Sequence, residues 1–146
     1  MIVSLGVVTS NVTIANAAWS IITGATPGRA RLLELGLFLG AATACTIGLG
    51  RPASAGTTPT TPVNFLVEDP NDVLNSGALT SALAWSAQPG APTNFLRRIG
   101  LPATIGVGVI WTFPKGLVLP VSGSPALVLW NITATPIMNA YAVFDI

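Results

Sequence analysis

Few side chains in this chain could do covalent or metal chemistry. Glu68, Asp69 and Asp72 fall close together around Pro70 and Asn71. A carboxylate pair at such a separation could act as acid and base on a glycosidic bond. Carboxylates with backbone carbonyls could also hold Ca²⁺. The spacing does not follow an EF-hand loop, and Asp-Pro-Asn is turn chemistry, so a solvated surface turn is the expectation. Histidine is absent, which removes the commonest general base and the commonest metal-binding side chain. One cysteine, Cys45, and no histidine cannot make a usual zinc site, a Ser-His-Asp triad or a Cys-His pair. Cys45 lies in an apolar stretch and reads as a small buried thiol, and as a single cysteine it has no partner for a disulfide within the chain. The sequence therefore points to no catalytic residue, no cofactor site and no metal site, and so to a protein that is not an enzyme.

What remains is recognition. The basic residues are Arg29, Arg31, Arg51, Arg97 and Arg98 with a single lysine, Lys115. Arginine is favoured where planar, bidentate, partly desolvated contacts form, and it is enriched at interfaces. These five arginines are expected to fix the register of subunit contacts, with Glu34, Glu68, Asp69 or Asp72 as partners. The plainer alternative is five solvated charges, each worth little. Composition favours the first reading. Charged residues make up 8% of the chain, where a soluble domain carries roughly 25%. Interface cores are depleted in charge, so extensive contact with other subunits is expected. A net charge of +1 is too small to argue for nucleic acid or an acidic membrane. The aromatic residues are not interleaved with a basic stripe. Trp111, Trp130, Phe113 and Tyr141 fall on expected strands, where core packing is the default and a sugar-binding platform the sharper alternative.

The elements that must position these residues read as strands. Short apolar runs are interrupted by Gly, Pro, Asn or Ser roughly every eight to twelve residues, the spacing of an antiparallel β-sandwich or barrel. Twelve prolines leave little room for helices. Residues 1–18 are expected to form an edge strand or an N-terminal arm that docks on a neighbour. Strands are predicted over 19–23, 31–39, 43–49, 64–67, 79–86, 94–101, 107–113, 117–119, 126–132 and 139–146, with a break at Pro114. Joining the fragments gives about eight or nine strands in one domain spanning 1–146. In 31–39, Leu33, Leu35, Leu37 and Leu39 are expected on one face and Leu32, Glu34, Gly36 and Phe38 on the other. Residues 53–63 read as an exposed loop, and the last strand is expected to be tied into a sheet.

The longest uncharged apolar stretch, 35–50, is shorter than the roughly 20 residues a spanning helix needs, so no membrane segment is expected. No basic residue precedes Arg29, so a secretory signal is not expected either. Asn11-Val12-Thr13 and Asn131-Ile132-Thr133 match the glycosylation acceptor pattern, and both are read as chance.

Two stretches carry a family likeness. Ala30-Arg31-Leu32-Leu33-Glu34-Leu35-Gly36-Leu37-Phe38-Leu39 runs on into Ala41-Ala42-Thr43-Ala44-Cys45-Thr46-Ile47-Gly48-Leu49-Gly50-Arg51-Pro52. Near the end, Gly108-Val109-Ile110-Trp111-Thr112-Phe113-Pro114-Lys115-Gly116 leads to Leu127-Val128-Leu129-Trp130-Asn131 and Ala140-Tyr141-Ala142-Val143-Phe144-Asp145. Together, from Ala30 onward, they resemble small jelly-roll auxiliary virion proteins of tailed bacteriophages. The resemblance implies an all-β jelly roll of about eight strands in two sheets. It implies a capsid decoration, or cement, protein on the capsid surface of the virion, a homo-oligomer and commonly a trimer, whose partner is the major capsid protein. The alternative is a receptor- or carbohydrate-binding module of a tail fibre or baseplate. The motifs are patterns of strand and turn, so no functional residue carries over.

Overall fold

Alternation of side chains along the chain sets the sheets. In β1, Ile2–Val8, the residues Val3, Leu5 and Val7 are buried while Gly6 and Val8 are exposed. In β13, Met138–Asp145, Met138, Ala140, Ala142 and Phe144 point inward. This period of two is what a pleated strand with one buried face requires. The computed structural model describes residues 1–9, 16–24, 30–74, 78–120 and 125–146. Between β1 and β13 lie β2 Ala17–Thr23, β3 Arg31–Leu39, β4 Cys45–Gly50, β5 Thr57–Pro59, β6 Pro62–Asn64 and β7 Leu66–Val67. They are followed by β8 Leu79–Ala82, β9 Trp85–Ala87, β10 Arg97–Leu101, β11 Gly108–Val118 and β12 Pro125–Asn131. No helix occurs among the described residues, so none is long and apolar enough to cross a membrane.

The strands form a five-stranded sheet in the order β11-β3-β13-β1-β7 and a six-stranded sheet in the order β10-β4-β12-β2-β8-β6. A small separate ladder pairs β5 with β9. Every pairing is antiparallel. From β1 to β4 the chain alternates between the two large sheets, and from β10 to β13 it alternates again. The fold is thus all-β and sandwich-like, with one apolar core shared by the two sheets. Leu35, Leu37 and Leu39 of β3 and the inward residues of β1 and β13 meet Trp19 and Ile21 of β2, Ile47 and Leu49 of β4, and Leu127 and Leu129 of β12. Phe65, in the step between β6 and β7, joins the layers. Its ring lies edge-on to Phe144 at 5.2 Å and stacks near Trp19 at 6.5 Å.

Several expectations change. Residues 2–8 are no free arm: β1 pairs with β13 along its whole length and with β7 at Val3 and Ser4. Its outer side meets no described strand from Leu5 on, which makes it an edge strand there among the described residues. Its three inward side chains are core, which fixes it in the sheet; residues 10–15 lie outside the described residues. In β3 the strict alternation fails at Leu33. Val143 sits opposite Glu34 but Phe144 sits opposite Leu32, so Leu33 is the extra residue of a bulge and Leu32 turns inward with no exposed surface. The break predicted at Pro114 appears in the ladder, where pairing with β3 stops at Thr112 and resumes at Leu117, but not in the strand itself. β11 stays extended through it because β11 is an edge strand, where a proline is tolerated. The 53–63 loop contains β5 and part of β6, exposed segments that pair through the backbone with β9 and β8. The predicted 79–86 strand divides into β8 and β9, so the short elements raise the total among the described residues to thirteen. The last strand is tied in as expected, with the Ile146 N–H donating to the Met1 carbonyl at 2.9 Å.

Phe144→Ala is expected to destabilise the fold by about 3–5 kcal/mol, the usual cost of emptying a fully buried aromatic site. Denaturant unfolding measures it, and a loss below about 1 kcal/mol would show that the ring contributes little to holding the sheets together.

Candidate interaction surfaces

The outer face of the six-stranded sheet is covered by its own chain. Along β4, Ile47 and Leu49 face the core, and Gly48 and Gly50 face outward. The bare glycines admit Phe95: a Cβ on Gly48 would stand 2.6 Å from its ring. Phe95, Trp85 and Ile132 pack on buried Ala17, Val128 and Trp130 to make a second, small core outside the sheet. The Trp85 indole N–H donates to the buried Ser20 hydroxyl at 2.9 Å.

Among the described residues the outer face of the five-stranded sheet has no such cover. Strand register gives three rows across it. They are Gly108–Phe38–Asn139–Val8, Ile110–Gly36–Tyr141–Gly6, and Thr112–Glu34–Val143–Ser4–Leu66. Ile110 is 50% exposed, Val8 59% and Leu66 68%. Four strands about 4.8 Å apart and about seven residues long present roughly 450 Å² of flat area, on which the exposed apolar side chains are interspersed with Thr112, Asn139 and Ser4. An open depression of about 350 Å³ lies on it, floored by Gly6, Val8, Phe38 and Tyr141.

Glu34 is the one charge in these rows, and it is engaged. The Tyr141 hydroxyl donates to its Oε1 at 2.5 Å, with the ring laid over Gly36, where a Cβ would clash. That hydrogen bond, then burial, then the carboxylate's charge push the Tyr141 phenol above its ordinary value. The neutral phenol is therefore the form the fold favours. Its contribution is complete below the unfolded-chain value near 10 and is lost as pH rises through the higher folded value.

The arginines singled out from the sequence gather largely on the β10–β11 side. Arg31 donates to the Lys115 carbonyl at 3.4 Å, and Arg51 donates to the Val118 carbonyl at 3.0 Å. Arg97 lies 5.1 Å from the centre of the Phe113 ring and donates to the Leu96 carbonyl at 2.9 Å. Arg98 is the next residue of β10, opposite Gly48, and is exposed. Arg29 lies outside the described residues. None of the described arginines reaches a carboxylate; three of them hold backbone carbonyls or a ring instead. Sequence reasoning could not find these partners, because a carbonyl acceptor leaves no mark in residue type. Between Thr112 and Leu117, β11 bulges against β3. Gly116 takes a φ of +69° there, and a Cβ would press on Arg31. The bulge opens a groove of about 400 Å³ with Phe113, Pro114 and Leu117 as its apolar wall and Arg97 and Lys115 at its rim.

The acidic turn is on the surface, as the sequence suggested. Asp69 accepts from the Asn71 backbone and side-chain amides at 2.9 and 3.0 Å, and Glu68, Asp72 and Val73 are exposed. Among the described residues no three metal-ligating side chains come together. Asp145 pairs with the terminal amine of Met1 at 3.2 Å. Asn131 has no exposed surface, which closes it to glycosylation. Cys45 is buried, and burial pushes its thiol up.

Two measurements check this chemistry. Absorbance titration of the sole tyrosine should give a midpoint above that of a free phenol, and Glu34→Gln should lower it; an unchanged midpoint would mean the contact is not made in solution. Iodoacetamide should modify Cys45 only after denaturant is added, and rapid labelling of the native chain would contradict its burial. Comparison with known proteins adds no relative: no family model, curated protein or solved structure matches the chain.

Proposed function

We propose that this chain is a capsid decoration, or cement, protein of a tailed bacteriophage, a structural protein that binds the major capsid lattice as a homo-oligomer. The observation that carries the reading is the uncovered outer face of the five-stranded sheet, set against an opposite sheet whose outer face is filled by the chain itself. A chain with 8% charged residues keeps such a face out of water most simply by laying it on other protein. Strand order supports the architecture. β11-β3-β13-β1 facing β10-β4-β12-β2 is the order produced when two Greek keys are wound into a jelly roll, with β5 to β9 as an insertion between β4 and β10. That architecture serves capsid and lectin domains and cupins. Cupin-type metal chemistry has no histidine to work with. A glycan-binding module on a tail would use exposed tryptophan. Here Trp19 and Trp130 are buried, Trp85 is tied to Ser20, and Trp111 packs on the core. A trimer follows from the resemblance to auxiliary virion proteins.

The mechanism would be burial of apolar area at roughly 25 cal/mol per Å², repeated over many copies on one lattice. Quantitative mass spectrometry of purified particles should find the chain in hundreds of copies, on the order expected for a surface lattice. Ile110→Glu, a change on the exposed edge strand, should leave the fold intact and weaken particle binding at least about tenfold. Absence from particles, a stoichiometry of only a few copies, or full occupancy by the Ile110→Glu variant would each overturn the proposal.

A further inference from the structure

Apart from Glu34, held by Tyr141, and the Met1–Asp145 pair, the described charges fall on two lateral sides of the molecule. Arg97, Arg98 and Lys115 lie on β10 and β11, the strands that end the two sheets on one side. Glu68, Asp69 and Asp72 follow directly on β7, which ends the five-stranded sheet on the other. Four strand spacings separate β11 from β7, roughly 19 Å, so the two groups cannot pair within one chain. Among the described residues the only ion pair is that of Met1 with Asp145, and neither the Lys115 ammonium nor the carboxylates of Glu68 and Asp72 have a partner.

Shape follows the same division. The basic side holds the groove walled by Phe113, Pro114 and Leu117. The acidic side ends in a projecting turn whose next residue, Val73, is 84% exposed, the most exposed of the large hydrophobic side chains described. A valine held out in water beside three carboxylates is the complement of an apolar groove rimmed by an arginine and a lysine.

We infer that copies of this chain associate head to tail, with the 68–73 turn of one copy seated in the β11 groove of the next. Val73 lies against Phe113 and Leu117, while Asp72 and Glu68 meet Lys115 and Arg97. Each copy offers one turn and one groove, so the contact is heterologous. It closes into a ring when the rotation between copies divides a full circle and otherwise runs on as a filament. The contact lies at the sides of the sandwich and leaves the outer face of the five-stranded sheet free. The inference rests on the assembly reading above and supplies the surface through which copies meet one another.

Charge reversal tests it on the full chain, without particles. The side chains of Lys115 and Asp72 are exposed and form no ion pair among the described residues, so Lys115→Glu and Asp72→Lys should fold normally, which circular dichroism and melting verify. Sedimentation and native mass spectrometry at low salt should show the wild-type chain self-associating. Each single reversal should weaken that association at least about tenfold, and the two reversals combined in one chain should restore it. A wild-type chain that stays monomeric, single reversals that associate normally, or a double variant that fails to recover would each overturn the inference. Failure here is distinguishable from failure of the proposed function. A monomer that still coats particles removes the head-to-tail contact alone, and a rescued oligomer that ignores particles removes the capsid reading alone.

Discussion

Apolar contact between the two inner sheet faces is the interaction on which everything else in this molecule depends. It is concentrated where Phe144 meets Phe65 and, through it, Trp19. The sheets have little else in common: the chain crosses between them repeatedly, but their backbone ladders are separate. Burying the inner faces settles which residues of each strand are inside. Because successive side chains point to opposite faces, it settles at once which residues must be outside. Gly48 and Gly36 are outward because Ile47, Leu49, Leu35 and Leu37 are inward.

The two outer faces are then treated differently, and the difference lies in the connections. The segment between β4 and β10 is long enough to return over the six-stranded sheet and set Trp85 and Phe95 against it. Glycine at 48 makes room for the Phe95 ring. No described segment returns over the other sheet, so Ile110, Val8 and Leu66 stay in water. An exposed face of this kind is a liability for an isolated chain and an asset for one that works in an assembly.

Edges follow a related logic. β10 and β11 end the sheets on one side and carry Arg97, the Pro114 break in the ladder and the Gly116 bulge. Charge, proline and bulges are the devices that keep edge strands from pairing indiscriminately. They also shape the groove walled by Phe113, Pro114 and Leu117. The arginines take part twice, holding the carbonyls of Lys115 and Val118 and giving the groove its sign.

Strand-forming character was legible in the sequence where a buried residue alternated with an outward one, as along β1 and β13, and in the short apolar runs of β4 and β12. It was legible because the period of two is a local property. The surface acidic turn was also legible, since Asp-Pro-Asn carries its own turn chemistry. What the sequence left open was non-local. The bulge at Leu33 exists because β13 must match β3 over its full length, so the inward placement of Leu32 is set by the partner strand. The incorporation of β1 into a sheet depends on a strand more than a hundred residues away. The segregation of cations from carboxylates follows from strand order across the sheet, and neighbours in that order are remote in the chain. Residue type fixed what each side chain could do; only packing of the two sheets decided which side chains meet and which are left facing outward.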